Sequence, residues 1–239
     1  MDYLLLGVGE AFDAPLGNTS ALLTAESRLL LDCGYAVPGA LWAHDGDPDF
    51  LDGIYLSHAH GDHYFGVPPV IGRMSESGRV RELAVIAQKS VFDKMRDAVE
   101  LAYPGILAKC RFPLRWIPAA PHAKVEWREF RLAFAPTTHS VSNLAIRVET
   151  AGGAFAYSGD GMFTRDSRCL FSGADVLLHE AYTFEPHPNH ADIPGVIAMA
   201  AEAKIGRLLL THLNRDTRVR DRDRIDPAIL PEPMHSGSV

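Results

Sequence analysis

The heptapeptide SHAHGDH, residues 57–63, places His58, His60, Asp62 and His63 within six positions and separates them only by small residues. Buried imidazoles need hydrogen-bond partners, so a packed core has little use for such density. A solvated loop gains nothing from it. Imidazoles and a carboxylate that share a cleft do form a donor set for a divalent cation. His58 and His60 are two residues apart, so an extended chain points both the same way. Gly61 permits a tight turn. Asp62 and His63 then open a helix and face the same pocket from its other side.

The elements that must position these groups are short apolar runs: YLLLGV, SALLT, RLLLD, GIYLS, LAVIA, RLAFAP, LAIRVET, AFAYSGD, DVLLHEA and RLLLTH. Each has the length of a strand and is bounded by glycine, proline or polar residues. Helical spacing appears between them at 91–102, through Phe92, Met95 and Val99, and at 193–203, with Asp192 before it and Pro194 in its first turn. Interleaved strands and helices predict an α/β architecture. Five runs end in an acid or imidazole: His58, His139, Asp160, the pair His179–Glu180, and His212. Strand ends on one side of a sheet lie close together, and α/β proteins place ligand sites there. The grouping that follows is His58, His60 and His139 around one ion and Asp62, His63 and His212 around a second. Asp160 bridges the two. The donors suit Zn²⁺, and also Mn²⁺ or Fe²⁺. No thiolate set for a closed structural zinc is present.

The 239 residues are 47% hydrophobic and 22% charged, enough apolar material for a sizeable core in one domain over residues 1–215. Residues 216–239 mix dense charge with proline and read as a surface tail. A net charge of −7 gives no bulk attraction for nucleic acid. No apolar run is long enough for a membrane span, and the start lacks a basic leader region. Cys33, Cys110 and Cys169 are widely spaced, which argues against a disulfide framework and for a cytoplasmic location. A homodimer is compatible with this composition.

H-x-H-x-D-H after a strand, followed by His139, Asp160 and His212, resembles the metallo-β-lactamase fold superfamily, from GVGE through LLLDCG to LLLTHLNR. The resemblance implies a four-layer αββα sandwich with two metal ions at one edge of its two sheets. SHAHGDHYFGVPPVI, LLHEAYTF and NHADIPGVIAMAAEAKIGRLLLTHLNR are similar to the ribonuclease Z-like branch. Cyclic-phosphate phosphodiesterases of phosphonate breakdown share a similar NH-x-D segment. By that resemblance Glu180 and His190 form a pair near the leaving group. The chain departs from the branch at two places. Only twenty residues separate His139 from Asp160, where the bacterial short form inserts its tRNA-gripping arm. Gly161 stands where threonine is usual.

The implied chemistry is two-metal hydrolysis of a small phosphodiester, a cyclic phosphate or an RNA end, with a small-molecule or nucleotide substrate. Asp62 would orient the attacking water and accept its proton, and His190, held by Glu180, would protonate the leaving alkoxide. The alternatives are a lactone or thioester hydrolase, a tRNA 3′-processing endonuclease, and a non-hydrolytic binding or regulatory protein. Of the remaining residues, His179 reads as a buried structural histidine. His44, His122 and His187 read as surface residues, Cys33 as a packed thiol, and GVGEAFDAPLG as a turn near the cleft. RVRDRDR reads as a solvated face.

Overall fold

A computed structural model describes residues 1–239. The first half contributes β1 (Asp2–Gly7), β2 (Ser20–Thr24), β3 (Arg28–Leu31), β4 (Gly53–Leu56), β5 (Leu83–Ala87) and β6 (Leu114–Pro118). Between them lie α1 (Val37–His44), α2 (Gly61–Tyr64), α3 (Val67–Glu76), α4 (Lys89–Ala102) and α5 (Ile106–Lys109). The second half contributes β7 (Lys124–Trp127), β8 (Phe130–Pro136), β9 (Leu144–Thr150), β10 (Gly153–Tyr157), β11 (Val176–Glu180) and β12 (Arg207–Thr211). It also carries α6 (Arg165–Phe171), α7 (Ile193–Glu202) and α8 (Arg215–Arg220), and the chain closes with β13 (Ser236–Ser238).

The strands form two sheets, ordered β13-β1-β2-β3-β4-β5-β6 and β12-β11-β10-β9-β8-β7. Their inner faces meet in one apolar cluster that includes Leu5, Leu23, Leu31, Tyr55 and Ile86 from the first sheet and Phe130, Phe134, Ile146, Phe155 and Leu178 from the second. Alternate residues of the same strands face outward. Leu22, Leu30, Ile54 and Val85 pack under α1, α3 and α4 beside Leu41, Ile71 and Met95. Ala145, Ala156 and Leu177 pack under α6 and α7 against Phe171 and Met199. The runs are continuously apolar because both faces of each strand are buried. The result is the four-layer αββα sandwich of the metallo-β-lactamase fold.

All ten expected strands are present, and the expected helices run over 89–102 and 193–202. Asp192 caps α7 by accepting from the Gly195 N–H at 2.7 Å, with Pro194 in the first turn. Residues 216–239 differ from the surface tail expected of them. Strand β13 pairs antiparallel with β1, Asp2 opposite Ser238. Ile225 and Leu230 are buried against α7 and β12 residues, and the buried Arg218 donates to the Pro231 carbonyl at 2.8 Å. The Arg224 guanidinium lies 3.8 Å from the centre of the Phe184 ring. The charges of this segment are paired with one another, as Arg220 and Arg224 are with Asp221, so its apolar residues can still pack. No helix is long and apolar enough to cross a membrane.

Candidate metal centre

Strand β8 is antiparallel to β9, which is antiparallel to β10, and β10, β11 and β12 are mutually parallel. The last residues of β8, β10, β11 and β12 therefore reach the same edge of the second sheet. His139 follows β8, Asp160 follows β10, Glu180 ends β11 and His212 follows β12. The first sheet brings β4, the 57–60 loop and α2 to that edge. The Leu144 N–H donates to the Ser57 carbonyl at 3.2 Å and the His212 N–H to the Val8 carbonyl at 3.0 Å, which locks the two sheets together beside the cluster.

Three groups of donors result. Two share Asp160: His58, His60, His139 and Asp160 form one, and Asp62, His63, Asp160 and His212 the other; Glu180, His190 and His212 form a third beside them. In the first, His60 Nδ1 lies 3.1 Å from His58 Nε2 and 3.1 Å from His139 Nε2. Asp160 Oδ2 is 3.8 Å from His58 and 3.9 Å from His139. In the second, His63 Nε2 is 3.1 Å from Asp62 Oδ2 and 3.4 Å from Asp160 Oδ2. His212 Nε2 is 3.3 Å from Asp62 Oδ2 and 3.2 Å from Asp160 Oδ2. Donors bound at about 2.1 Å around a tetrahedral ion stand roughly 3.4 Å apart, so the residues present fit a cation in each of the two groups that share Asp160. Buried Asp160 Oδ1 has no hydrogen-bond partner, a costly condition that a bound cation would relieve.

The far sides of the rings are held. His58 Nδ1 meets Ser57 Oγ at 3.0 Å, His63 Nδ1 meets Asp32 Oδ2 at 2.7 Å, and His139 Nδ1 meets the Asn189 carbonyl at 2.8 Å. Such partners fix ring orientation and the nitrogen that stays free. Asp32 was missed in the sequence. It is fully buried and also accepts from the Ser57 N–H, Ser57 Oγ and the Tyr157 hydroxyl. Its signal was available: it ends RLLLD as Asp160 ends AFAYSGD. Asp32 and His212 both have positive φ, 56° and 57°, a strained backbone that recurs at functional sites.

The charges are strongly coupled. Burial alone would raise the Asp62 carboxyl, but the His63 imidazole and the His212 hydrogen bond hold it well below the usual carboxylate range. Asp160 is likewise depressed: burial opposes ionisation, and His212 and His63 outweigh it. Burial pushes His212 down while Asp160 and Asp62 lift it, leaving it raised to about 9. His58 is lowered by burial and by His63.

Beside the second group, the fully buried Glu180 accepts through Oε1 from the Gly161 N–H at 2.8 Å and the Ala191 N–H at 3.0 Å. His190 Nδ1 lies 3.4 Å from the same oxygen. The His190 ring stacks between Tyr182, at 4.6 Å, and His212, at 5.5 Å. His187, read as a surface residue, instead flanks this stack, half-buried and 5.0 Å from His190 between ring centres. Pro186 and Pro188 on either side of it are exposed, as a surface turn would have them. His44 and His122 are exposed, His179 is buried against Phe171, and Cys33 is buried. Gly161 has φ 101°, and a Cβ there would sit 2.5 Å from the Thr138 carbonyl, so a threonine does not fit this turn.

Layered sheets with this edge of histidines and aspartates define the class by its architecture: the metallo-β-lactamase fold. Within it, the chain belongs to the family described as Anti-Pycsar protein Apyc1, which it matches over residues 1–226. It is 28% identical over 197 residues to ribonuclease Z of Ignicoccus hospitalis, covering 77% of this chain and 64% of that one. Ribonuclease Z of Bacillus cereus is 24% identical over 90% of this chain and 89% of its own. In three dimensions it is similar to the metallo-β-lactamase fold protein YhfI from Bacillus subtilis, with a TM-score of 0.83, 20% identity and coverage of 99% and 98%. Short-form human tRNase Z gives a TM-score of 0.80 at 21% identity, over 100% and 99% of the two chains. A diphosphatase from the PhnP family gives 0.77 at 19% identity, over 100% and 98%.

Proposed function

We propose that this chain is a phosphodiesterase that holds two divalent cations and hydrolyses a small phosphodiester of nucleotide type, such as a cyclic phosphate or an RNA end. The observation that carries the reading is the Glu180–His190 pair set beside two donor groups that share Asp160. Relatives named ribonuclease Z and a fold neighbour named a diphosphatase support phosphate as the reacting group.

His58, His60, His139 and Asp160 would hold one cation, and Asp62, His63, Asp160 and His212 the other. Zn²⁺ suits these donors, with Mn²⁺ or Fe²⁺ as substitutes. Such a pair, when bound, neutralises phosphate charge and lowers the pKa of water. That offsets the −7 net charge of the protein toward an anionic substrate. Asp62 turns Oδ2 to His63 and His212, which leaves Oδ1 to orient the attacking water and take its proton. His190 then protonates the departing alkoxide, and Glu180 holds the imidazole in place. The absence of an insertion between β9 and β10, joined through Ala151 and Gly152, favours a small substrate over a tRNA precursor.

The test is turnover of bis-p-nitrophenyl phosphate, cyclic nucleotides, lactones and a tRNA precursor by the zinc-loaded protein. Diester hydrolysis without lactone hydrolysis is expected. Lactone turnover with no diester turnover would overturn the reading.

A further inference from the structure

Four aromatic side chains stand out in water, Tyr103 at 43% and, beside the cleft, Phe12 at 74% and Tyr35 and Phe65 at 50% each. Single exposed apolar residues are ordinary on a protein surface. Phe12, Tyr35 and Phe65 belong to connected elements that all adjoin the Asp62–His212 side of the cleft.

Phe65 immediately follows α2, which carries Asp62 and His63. A Cβ on Gly61 would lie 2.7 Å from Phe65 Cδ2, so the ring rests against the backbone between His60 and Asp62. Tyr35 follows Gly34, whose own Cβ would strike the Asp62 carbonyl at 1.9 Å. The Tyr35 segment and the Asp62 turn are therefore in backbone contact. The Tyr35 hydroxyl donates to the Ala11 carbonyl, one residue before Phe12. The loop bearing Phe12 begins at Gly9, which bridges to Leu213, the neighbour of His212. Its tip is held by Arg215, which donates to the Phe12 carbonyl at 2.7 Å and pairs with Glu10 at 3.1 Å. Asn18 closes the loop by donating to the Ala11 carbonyl at 3.3 Å and accepting from the Ala36 N–H at 2.9 Å. The backbone is thus anchored at several points, and the Phe65 ring is backed by Tyr64 at 4.7 Å between centres, while half or more of each of the three side chains faces water. Rigid anchoring of solvent-facing aromatic rings at the edge of a polar cleft makes a platform for a flat apolar group.

We propose that Phe12, Tyr35 and Phe65 form a stacking subsite that receives a planar aromatic group carried by the phosphodiester. The proposal rests on the phosphodiesterase reading and adds to it a part of the substrate that the metal donors do not touch. Every planar aromatic group has a π-face, so the platform accepts a nucleobase or a simple aryl ester alike.

The experiment uses three diesters with the same p-nitrophenolate leaving group and a different second ester group: methyl, p-nitrophenyl, or thymidine through its 5′ oxygen. The readout is kcat/KM of the zinc-loaded protein for each, in wild type, Phe12→Ala, Phe65→Ala and Phe65→Leu. Wild type favours the two aromatic-bearing diesters over the methyl diester. Each alanine variant lowers that preference on the order of 10-fold, through KM. Phe65→Leu keeps apolar bulk without a flat face and stays close to the alanine variant. Loss of the thymidine preference alone assigns the platform to a nucleobase, and loss of the p-nitrophenyl preference alone assigns it to an aryl group. Preferences unchanged in both alanine variants overturn the proposal. Calorimetric binding of phenylphosphonate against methylphosphonate to the same proteins reads the same preference without turnover. Failure to hydrolyse any diester therefore counts against the phosphodiesterase reading and leaves the subsite decided by binding.

Discussion

Asp160 Oδ2 stands within 4 Å of four imidazoles, at 3.2 Å from His212, 3.4 Å from His63, 3.8 Å from His58 and 3.9 Å from His139. No other side chain belongs to both the His58–His60–His139 group and the Asp62–His63–His212 group. Asp160→Ala should therefore weaken both cation sites together and cut diester turnover by orders of magnitude, read by elemental analysis and kinetics. Full metal content with unchanged turnover would show that Asp160 does not link the sites. His190 makes the opposite prediction. It lies next to His212 and Glu180 but outside the two Asp160-containing groups, so His190→Ala should keep both cations. It should slow a diester with an alkyl leaving group ~10²–10⁴-fold more than one with p-nitrophenolate, which needs little protonation to leave. Equal losses on the two substrates would place His190 in another role. At this scale much of the site was legible, because each of His58, His139, Asp160, Glu180 and His212 ends an apolar run. Asp32 carries the same signal at the end of RLLLD but stands apart from the histidine-rich motif. Its role appears only when β3 and α2 are folded side by side.

At the scale of elements, the strands buried on both faces announced themselves as apolar runs, while β6, β7 and β13 did not. LRWIP and KVEW each bury a single residue, Ile117 and Trp127, among exposed and half-buried ones at the sheet edges, and SGS is polar throughout. Those strands exist through pairing: β6 on β5 and β13 on β1 meet partners distant in sequence, which leave no local pattern, and β7 is held as the short arm of a hairpin with β8, Trp127 opposite Phe130. The charged C-terminal segment packs despite its composition because Arg220 and Arg224 pair locally with Asp221, which frees Ile225 and Leu230 to be buried. Two predictions belong here. The turn after β10 is closed by the Gly161 N–H on Glu180 and by the Thr138–Met162 bridge. Gly161→Ala forces a side chain into the Thr138 carbonyl at positive φ and should cost on the order of 2 kcal/mol in urea unfolding. An unchanged midpoint would show that the turn yields. The two-residue link between β9 and β10 carries no arm, and binding energy that such an arm would supply far from the chemistry would raise the specificity constant. The kcat/KM for a tRNA precursor should fall well below that of an efficient small diester, and the reverse order would contradict the element-level reading.

For the whole molecule, the cluster ties folding to pH and to cations. In the metal-free protein His212 is raised from 6.5 to about 9, because Asp160 and Asp62 outweigh its burial, and His63 is raised as well by Asp160 and Asp62 against its burial. A group whose folded pKa lies above its unfolded value contributes stability that is complete below the unfolded pKa and is lost as pH climbs to the folded one. His58 and His60 are shifted down, so above pH 6.5 they are neutral in both states and add no slope. Chelated protein should therefore lose stability between pH 6.5 and 9, on the order of 3 kcal/mol from His212 alone. A divalent cation held as proposed would take the place of those protons. Its binding should release protons at neutral pH and its affinity should rise with pH across the same window. Saturating zinc should then raise the urea midpoint more at pH 8.5 than at pH 6.5. The measurement is a pair of urea titrations at each pH, with chelator and with zinc, together with calorimetry in buffers of different protonation enthalpy. A midpoint of the chelated protein that climbs from pH 6.5 to 9, or zinc binding with no proton release, would separate the ion pairs of this edge from cation binding.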